Sequence, residues 1–178
     1  MTPSQCAKSR KLPSSALKRS WRVDLAEVVR SLKGSAPPIE LDAMHKLVGI
    51  WRLVSWRVVT DGQEHDLFGE RPRGYLILTQ EGRSMALTTA QHRVPGDSDV
   101  VCAALHRSML AYSGRYRIEG NEFVTTVDVS WNESWNGTEQ RRHFEVDGNV
   151  LRIESAPGPS ITNPGRTDFR RIEWEREG

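Results

Sequence analysis

The stretch EQRRHFEV, residues 139–146, alternates polar and apolar side chains as a β-strand does. The alternation places Gln140, Arg142, Phe144 and Val146 on the more apolar face, so we expect Arg142 and Gln140 to point into the protein. No Asp or Glu is assigned to the interior with them. Because a buried guanidinium needs an anion or several acceptors, Arg142 has two interpretations. It pairs with protein acceptors or reaches the rim, or it receives the carboxylate, enolate or phenolate of a ligand, supported by Gln140.

Tyrosine and tryptophan side chains are further candidates for ligand contact. Tyr112 and Tyr116 share one face of residues 112–118 and are predicted to point inward, either as core residues or as hydroxyl donors to a ligand. Trp131 and Trp135 are expected either to form apolar walls of a cavity or to stabilise a loop. Apolar side chains are also predicted to line the interior, among them Leu53, Met85, Leu87 and Phe144.

The five histidines make a weak case for catalysis. His143 alternates outward, and His106 lies on a predicted helix, where it is a surface residue or a proton-transfer group at the mouth of a cavity. The sequence has no Gly-x-Ser-x-Gly elbow, metalloprotease histidine pair, phosphate loop or dinucleotide fingerprint. Its two cysteines show neither metal nor disulfide spacing. We therefore expect no cofactor and no metal.

Length and composition fit one domain with a core, since 37% of the 178 residues are hydrophobic. The net charge of +2 is unevenly distributed. Residues 1–43 hold eight Lys and Arg against four Asp and Glu, and the rest of the chain holds seventeen against nineteen. The basic excess is thus outside the predicted strands, and we expect no nucleic-acid partner. Without a long apolar run or a secretory signal, a cytoplasmic protein with no transmembrane segment is expected.

The chain divides into an extension, residues 1–43, and a strand-rich domain, residues 44–178. The extension is basic and is predicted to be partly disordered, apart from a short amphipathic helix over residues 24–33. Met44 is a second candidate for the start of translation. The domain is predicted to be all-β, an antiparallel up-and-down β-barrel with one short helix, capped by Ser98, at its mouth. About eight strands are predicted, over residues 47–60, 74–79, 84–90, 112–119, 122–130, 139–146, 149–155 and 167–175.

The first and last predicted strands meet at one end of such a barrel. Trp51 lies near the start of the first strand, and Arg170, Ile172 and Trp174 are expected to share the inner face of the last. We therefore expect the Arg170 guanidinium to stack on Trp51 and close this end of the barrel.

Strict alternation along the first strand places Leu53 and Arg57 inside with Trp51. The opposite face is too apolar to be comfortable in water. Its members are Ile50, Val54, Trp56 and Val58. The helix over residues 24–33 or a second subunit would cover this face, so a homodimer is one expectation.

Several segments together resemble the lipocalin-like domain family, in particular its small bacterial and fungal members. Gly49-x-Trp51 and an arginine on the last strand match the general lipocalin signature. The more specific matches are LVGIWRLVS, GYLILTQEGRSM, AYSGRYRIEGNEF, VDVSWNESWNGTEQRRHFEVDGNVLRI and RIEWE. The resemblance covers residues 44–178. Many relatives carry histidines where this chain has Thr125 and Thr126, so no role of those histidines transfers to this protein.

The resemblance implies a barrel with an internal cavity for a small, mostly apolar molecule, and some related proteins act in secondary metabolism. Three functions therefore remain open. The protein binds a small hydrophobic and acidic ligand, or it is a cofactor-free cyclase, isomerase, hydratase or other lyase, or it is a structural or interaction domain. The predicted ligand-binding residues are Arg142, Gln140, Tyr116, Tyr112, Trp135, Met85, Leu87 and Phe144.

Overall fold

A computed structural model describes residues 44–159 and 165–178 of the chain. The extension and the helix predicted over residues 24–33 lie outside the described residues. A helical turn over residues 44–47 precedes the first strand. No helix in the described part is long and apolar enough to cross a membrane. The elements that follow are β1 Gly49–Thr60, β2 Gln63–Asp66, β3 Arg73–Leu78, β4 Arg83–Thr89, α1 Asp99–Arg107, β5 Met109–Glu119, β6 Glu122–Ser130, a 3-10 turn Glu133–Trp135, β7 Glu139–Asp147, β8 Val150–Ser155, β9 Gly158–Pro159 and β10 Thr167–Arg176.

Eight of these strands close into an antiparallel barrel. Their order around the barrel is β1-β3-β4-β5-β6-β7-β8-β10, and β10 pairs back onto β1. The short strands β2 and β9 pair with β1 and β10 beyond the ends of β3 and β8. Closure pairs both edges of every barrel strand, which removes the exposed edges of an open sheet. The predicted eight-stranded up-and-down barrel is therefore confirmed.

A β-bulge interrupts the alternation of β1. The pairing of β1 with β10 shifts register between Leu53 and Ser55, and the extra residue moves all later side chains to the opposite face. Trp56 and Val58 are consequently buried inside the barrel, and Arg57 lies outside, paired with carboxylates of β2. The inward prediction for Arg57 and the outward predictions for Trp56 and Val58 are wrong for this reason. Leu53, which precedes the bulge, is buried as predicted.

Strand β4 buries its small side chains and exposes its large ones. Ser84, Ala86 and Thr88 are buried, whereas Met85 is 53% and Leu87 46% exposed on the outer surface. The inward prediction for Met85 and Leu87 is therefore wrong. Aromatic rings of facing strands already fill the interior next to Ala86, so only small residues fit on that face of β4.

The start of β1 closes one end of the barrel through Trp51, which is fully buried. Its indole N–H donates to the carbonyl of Leu47 at 2.8 Å, which ties the strand to the helical turn over residues 44–47. The guanidinium of Arg176 lies over the indole, 4.1 Å from the ring centroid. A cation stacked on a buried aromatic ring thus closes this end of the barrel. This type of contact was predicted from the sequence, but with a different arginine.

The arginine at the closed end is Arg176 and not Arg170. Trp51 pairs with Arg176 in the register between β1 and β10, so Arg170 lies six residues away, toward the opposite end of the barrel. Arg176 also donates to the carbonyl of Val48 at 2.7 Å. Gly49 permits this arrangement, because a Cβ atom at that position would overlap the guanidinium. The sequence correctly predicted which alternate side chains of β10 point inward, but the stacking arginine was placed six residues too early in the strand.

Candidate functional site

A cavity of about 550 Å³ occupies the end of the barrel opposite Trp51. This volume lies within the range of small-molecule sites in proteins. Most of its wall is apolar and aromatic: Trp56, Val58, Leu67, Phe68, Met109, Leu110, Trp131, Trp135 and Ile172. Ala156 and eight charged or polar residues form the rest: Arg107, Glu139, Gln140, Arg141, Arg142, Ser155, Asp168 and Arg170. Because most of the wall area is apolar, the cavity suits a ligand that is itself mostly apolar.

Arg142 and Arg107 are the two cations of the cavity wall that form no ion pair with a described residue, and Arg142 is the less exposed of the two. Its guanidinium donates to the carbonyl of Arg141 at 2.7 Å and to Oε1 of Gln140 at 2.9 Å. Among the described residues, no carboxylate lies within 4 Å of it. Gln140 in turn donates to Thr138 at 3.2 Å. Two neutral acceptors therefore orient Arg142 without neutralising its charge, and further N–H groups of the guanidinium remain for an anion.

Arg170, by contrast, has an acidic partner within the cavity wall. Asp168 lies on the same inward face of β10 and is only 2% exposed. Its Oδ1 atom is 3.2 Å from a guanidinium nitrogen of Arg170, but the pair is not aligned for a hydrogen bond, and Oδ1 has no hydrogen-bond partner. No acidic residue was assigned to the interior from the sequence, and Asp168 is one that was missed. Asp168 forms an ion pair with Arg170, so Arg142 and the exposed Arg107 are the cations of the wall that remain for a ligand anion.

A smaller space of about 20 Å³, the inner pocket, lies beside the cavity toward the middle of the barrel. Its wall consists of Trp56, Leu76, Ala86, Leu110, Tyr112, Phe123, Arg142, Ile153, Ile172 and Trp174. Four residues line both spaces: Trp56, Leu110, Arg142 and Ile172. The partition between cavity and inner pocket therefore contains the Arg142 side chain.

The end of helix α1 and the loop after β6 meet at the cavity. Ser98 caps α1 as predicted, because its hydroxyl accepts from the N–H of Val101 at 3.4 Å. At the other end of α1, a ring nitrogen of His106 lies 3.3 Å from the carbonyl oxygen of Trp131. Trp131 packs edge-on against Trp135, with ring centroids 5.0 Å apart. Both tryptophans are thus walls of the cavity and supports of the loop at once, and His106 holds the helix to that loop from an exposed position.

Ionised pairs surround the rim where β7 begins. The hydrogen bond from Arg117 lowers the pKa of Glu139, and the neighbouring charge of Arg141 acts in the same direction. Arg141 also donates a hydrogen bond to Glu119, which raises the pKa of the Arg141 guanidinium above its ordinary value. The Arg141 charge is therefore shared among carboxylates of the outer surface, unlike that of Arg142. No cluster of three His, Cys, Asp or Glu suited to a metal ion is found in the described part of the chain.

The structure brings together half of the predicted ligand-binding residues. Arg142, Gln140 and Trp135 line the cavity, and Tyr112 lines the inner pocket. Tyr112 also packs against Trp135 with ring centroids 5.7 Å apart, which links the two spaces. Their contact with a ligand stays a prediction.

The other predicted residues lie elsewhere. Tyr116 is buried near the β3–β4 turn, where its hydroxyl donates to the carbonyl of Thr79 at 2.9 Å and burial raises the pKa of the phenol. Phe144 packs inside on Phe123, with ring centroids 6.2 Å apart. Neither belongs to the wall of either space, and Met85 and Leu87 lie on the outer surface.

Sequence reasoning missed several wall residues. Trp56 and Val58 were assigned outward because the alternation of polar and apolar residues in the sequence does not indicate the bulge in β1. Phe68 lies in an irregular segment, but its aromatic side chain between two polar runs is a signal that would have found it. Asp168 was missed although it lies on the same face of the alternating last strand as Ile172, which was assigned inward.

The barrel, its sealed end and its cavity define a class of β-barrel proteins with an internal cavity. The family model of the lipocalin-like domain matches residues 48–176, so the chain belongs to the lipocalin-like domain family. Two similar solved structures are a lipocalin-like protein from Bacteroides uniformis (13% identity, TM-score 0.44, covering 74% of this chain and 99% of that one) and an uncharacterized protein from Bacteroides eggerthii (15%, 0.38, 72% and 98%). No curated protein matches the chain.

Proposed function

We propose that the protein binds a small, mostly apolar molecule with one acidic group in the cavity. The observation that carries this proposal is the unneutralised guanidinium of Arg142 in a wall that is otherwise largely apolar. The guanidinium is partly buried and lacks a counter-ion, and a ligand anion would supply charge-assisted hydrogen bonds to it. The apolar body of the ligand would contact Trp131 and Trp135.

Two fluorescent probes that share one skeleton test this proposal. Anilinonaphthalene sulfonate is anionic, and N-phenylnaphthylamine is the same molecule without the sulfonate. We expect the wild-type protein to bind both saturably, with about one site per chain. Arg142→Met should weaken binding of the sulfonate by about 2–5 kcal/mol and leave the neutral probe nearly unaffected. Both affinities are measured by titration of probe fluorescence.

Arg152→Met is the matched control, since Arg152 lies on the outer face of β8 and pairs with Glu173 at 3.4 Å. We expect it to bind both probes as the wild type does. Failure of the wild type to bind either probe saturably would refute the proposal. An equal loss of both probes in Arg142→Met would show that the residue is structural.

A second candidate function, cofactor-free catalysis of proton transfer, is supported by one observation. Asp168 lines the cavity, and its buried Oδ1 atom lacks a hydrogen-bond partner among the described residues. A buried carboxylate with an oxygen that accepts no hydrogen bond is a potential general base. Nitrobenzisoxazole, whose ring opens when a base removes one proton, would report this activity by absorbance. Asp168→Asn should abolish any acceleration of ring opening. A wild-type rate equal to the rate in buffer would show that the protein does not catalyse proton transfer from this probe.

The remaining expectations stay predictions. The open volume of the cavity supports a binding role over a purely structural one, because a structural barrel would be filled by its own side chains. A role in secondary metabolism, a cytoplasmic location and a homodimer rest on the sequence arguments alone.

A further inference from the structure

Two tryptophans in the barrel interior have indole N–H groups that donate to nothing. Trp56 is 7% and Trp174 2% exposed, and their Nε1 atoms lie out of contact with solvent without a partner in the described part of the protein. Buried indole N–H groups normally find an acceptor. Trp51 follows that rule, since it donates to Leu47. Two exceptions in one protein therefore call for an acceptor that comes from elsewhere.

The strand register brings the two unpaired indoles together. Trp56 on β1 pairs with Ile172 on β10, and Trp174 is two residues further along β10, on the same inner face. Side chains in this diagonal relation are within reach of each other when they are aromatic. The bulge after Leu53 is what gives Trp56 this orientation.

Both indoles line the inner pocket, as do Arg142 and Tyr112. The indole N–H groups and the guanidinium are donors only. The Tyr112 hydroxyl could accept a hydrogen bond, but neither indole N–H donates to it. No Asp, Glu, Asn or Gln belongs to the wall. A volume of about 20 Å³ holds about one atom of the size of a water oxygen. The chemistry of the inner pocket is thus that of a site for one acceptor atom.

We infer that the inner pocket receives one oxygen of the ligand's acidic group, which accepts hydrogen bonds from the indole N–H groups of Trp56 and Trp174. This inference rests on the proposed function and adds where the acidic group lies. Arg142 belongs to the walls of both spaces, so its guanidinium contacts the same group from the partition. The ligand is therefore held with its acidic group inward and its apolar body toward Trp131 and Trp135. A carboxylate, sulfonate or enolate has the required oxygen, whereas an amine or a pure hydrocarbon does not.

The direct test is the indole N–H resonances of the unmodified protein, labelled with isotopic tryptophan. On saturation with anilinonaphthalene sulfonate, the resonances of Trp56 and Trp174 should move to low field, as expected for new hydrogen bonds to an anion. The resonance of Trp51 should stay in place, because that N–H already donates to Leu47 at 2.8 Å. N-phenylnaphthylamine should cause no such shift.

The same spectra distinguish a ligand oxygen from a free anion. If chloride alone moves the Trp56 and Trp174 resonances as far as the sulfonate does, a free anion occupies the inner pocket and the inference is wrong. If saturating sulfonate leaves both resonances unmoved, the acidic group binds elsewhere and the inference is also wrong.

Trp174→Phe removes the N–H group and keeps an aromatic ring. We expect it to weaken the sulfonate probe about tenfold, the effect of one hydrogen bond to a charged group, with less than about a twofold change for the neutral probe. Trp135→Phe is the control, since it trims a cavity wall outside the inner pocket and should affect both probes alike. If Trp174→Phe does not fold, the resonances of the unmodified protein decide.

The failure of this inference is distinguishable from the failure of the proposed function. A selective loss of sulfonate binding in Arg142→Met, without one in Trp174→Phe, leaves the proposed function standing and overturns the inner-pocket assignment. Absence of saturable sulfonate binding in the wild type overturns both.

Discussion

Replacement of Trp51 by alanine should be among the most destabilising single changes in the barrel. The side chain is fully buried, donates to Leu47 at 2.8 Å, and supports the Arg176 guanidinium 4.1 Å above its ring. Truncation of a buried tryptophan costs about 3–5 kcal/mol. Arg176 would also lose its aromatic support, although its bond to the Val48 carbonyl would remain. We therefore place the loss near the upper end of that range.

Urea unfolding followed by circular dichroism measures this loss directly. In a chain of this length, each kcal/mol lowers the melting temperature by about 2–4 °C, so a loss of about 5 kcal/mol should make Trp51→Ala melt about 10–20 °C below the wild type. Arg52→Met is the control, because Arg52 forms an exposed pair with Glu175 on the outer face of the same two strands, and such pairs contribute about 0–1 kcal/mol. A Trp51→Ala protein as stable as Arg52→Met would refute the account of the closed end.

Three further predictions concern other parts of the barrel. Gly114→Ala should unfold the protein or lower its melting temperature sharply, because a Cβ atom would overlap the carbonyl oxygen of Thr126 on β6; calorimetry tests this. Hydrogen bonds from Arg83 and then Ser113 lower the pKa of Asp128. The stability that this carboxylate contributes is therefore complete above its ordinary pKa of 3.8 and is lost as the pH falls through its pKa in the folded protein. Asp128→Asn should flatten the acid limb of a plot of unfolding free energy against pH. Burial raises the pKa of Tyr116, so ultraviolet titration should show one phenol that ionises above 10 and is absent in Tyr116→Phe.

The barrel was predictable from the sequence because hairpin turns and alternation are local signals. The β5–β6 turn falls at Gly120-Asn121, as expected, and the β7–β8 turn at Gly148-Asn149, one residue later than the sequence suggested. The inward orientation of Gln140 and Arg142 on β7 was also predictable, since both alternate with exposed residues.

Features that depend on contacts between distant strands were not predictable. Met85 and Leu87 are the larger residues of β4, but rings from other strands already occupy the space beside β4. These two side chains therefore point outward, and the smaller ones face the interior. The register of β10 against β1 selected Arg176 for the indole, and alternation alone has no information on register. The inner pocket depends on the bulge in β1, whose position follows from the same pairing.

The pairing of β1 with β10 joins the two ends of the domain. The contact between Arg52 and Glu175 links residues 123 positions apart in the chain. Closing so long a loop is entropically costly, and folds dominated by such distant contacts form slowly. During translation β10 is made last, so until then β1 and β8 each present an unpaired edge to other nascent chains. A protein truncated within β10 should consequently accumulate in aggregates even though every other barrel strand has been synthesised.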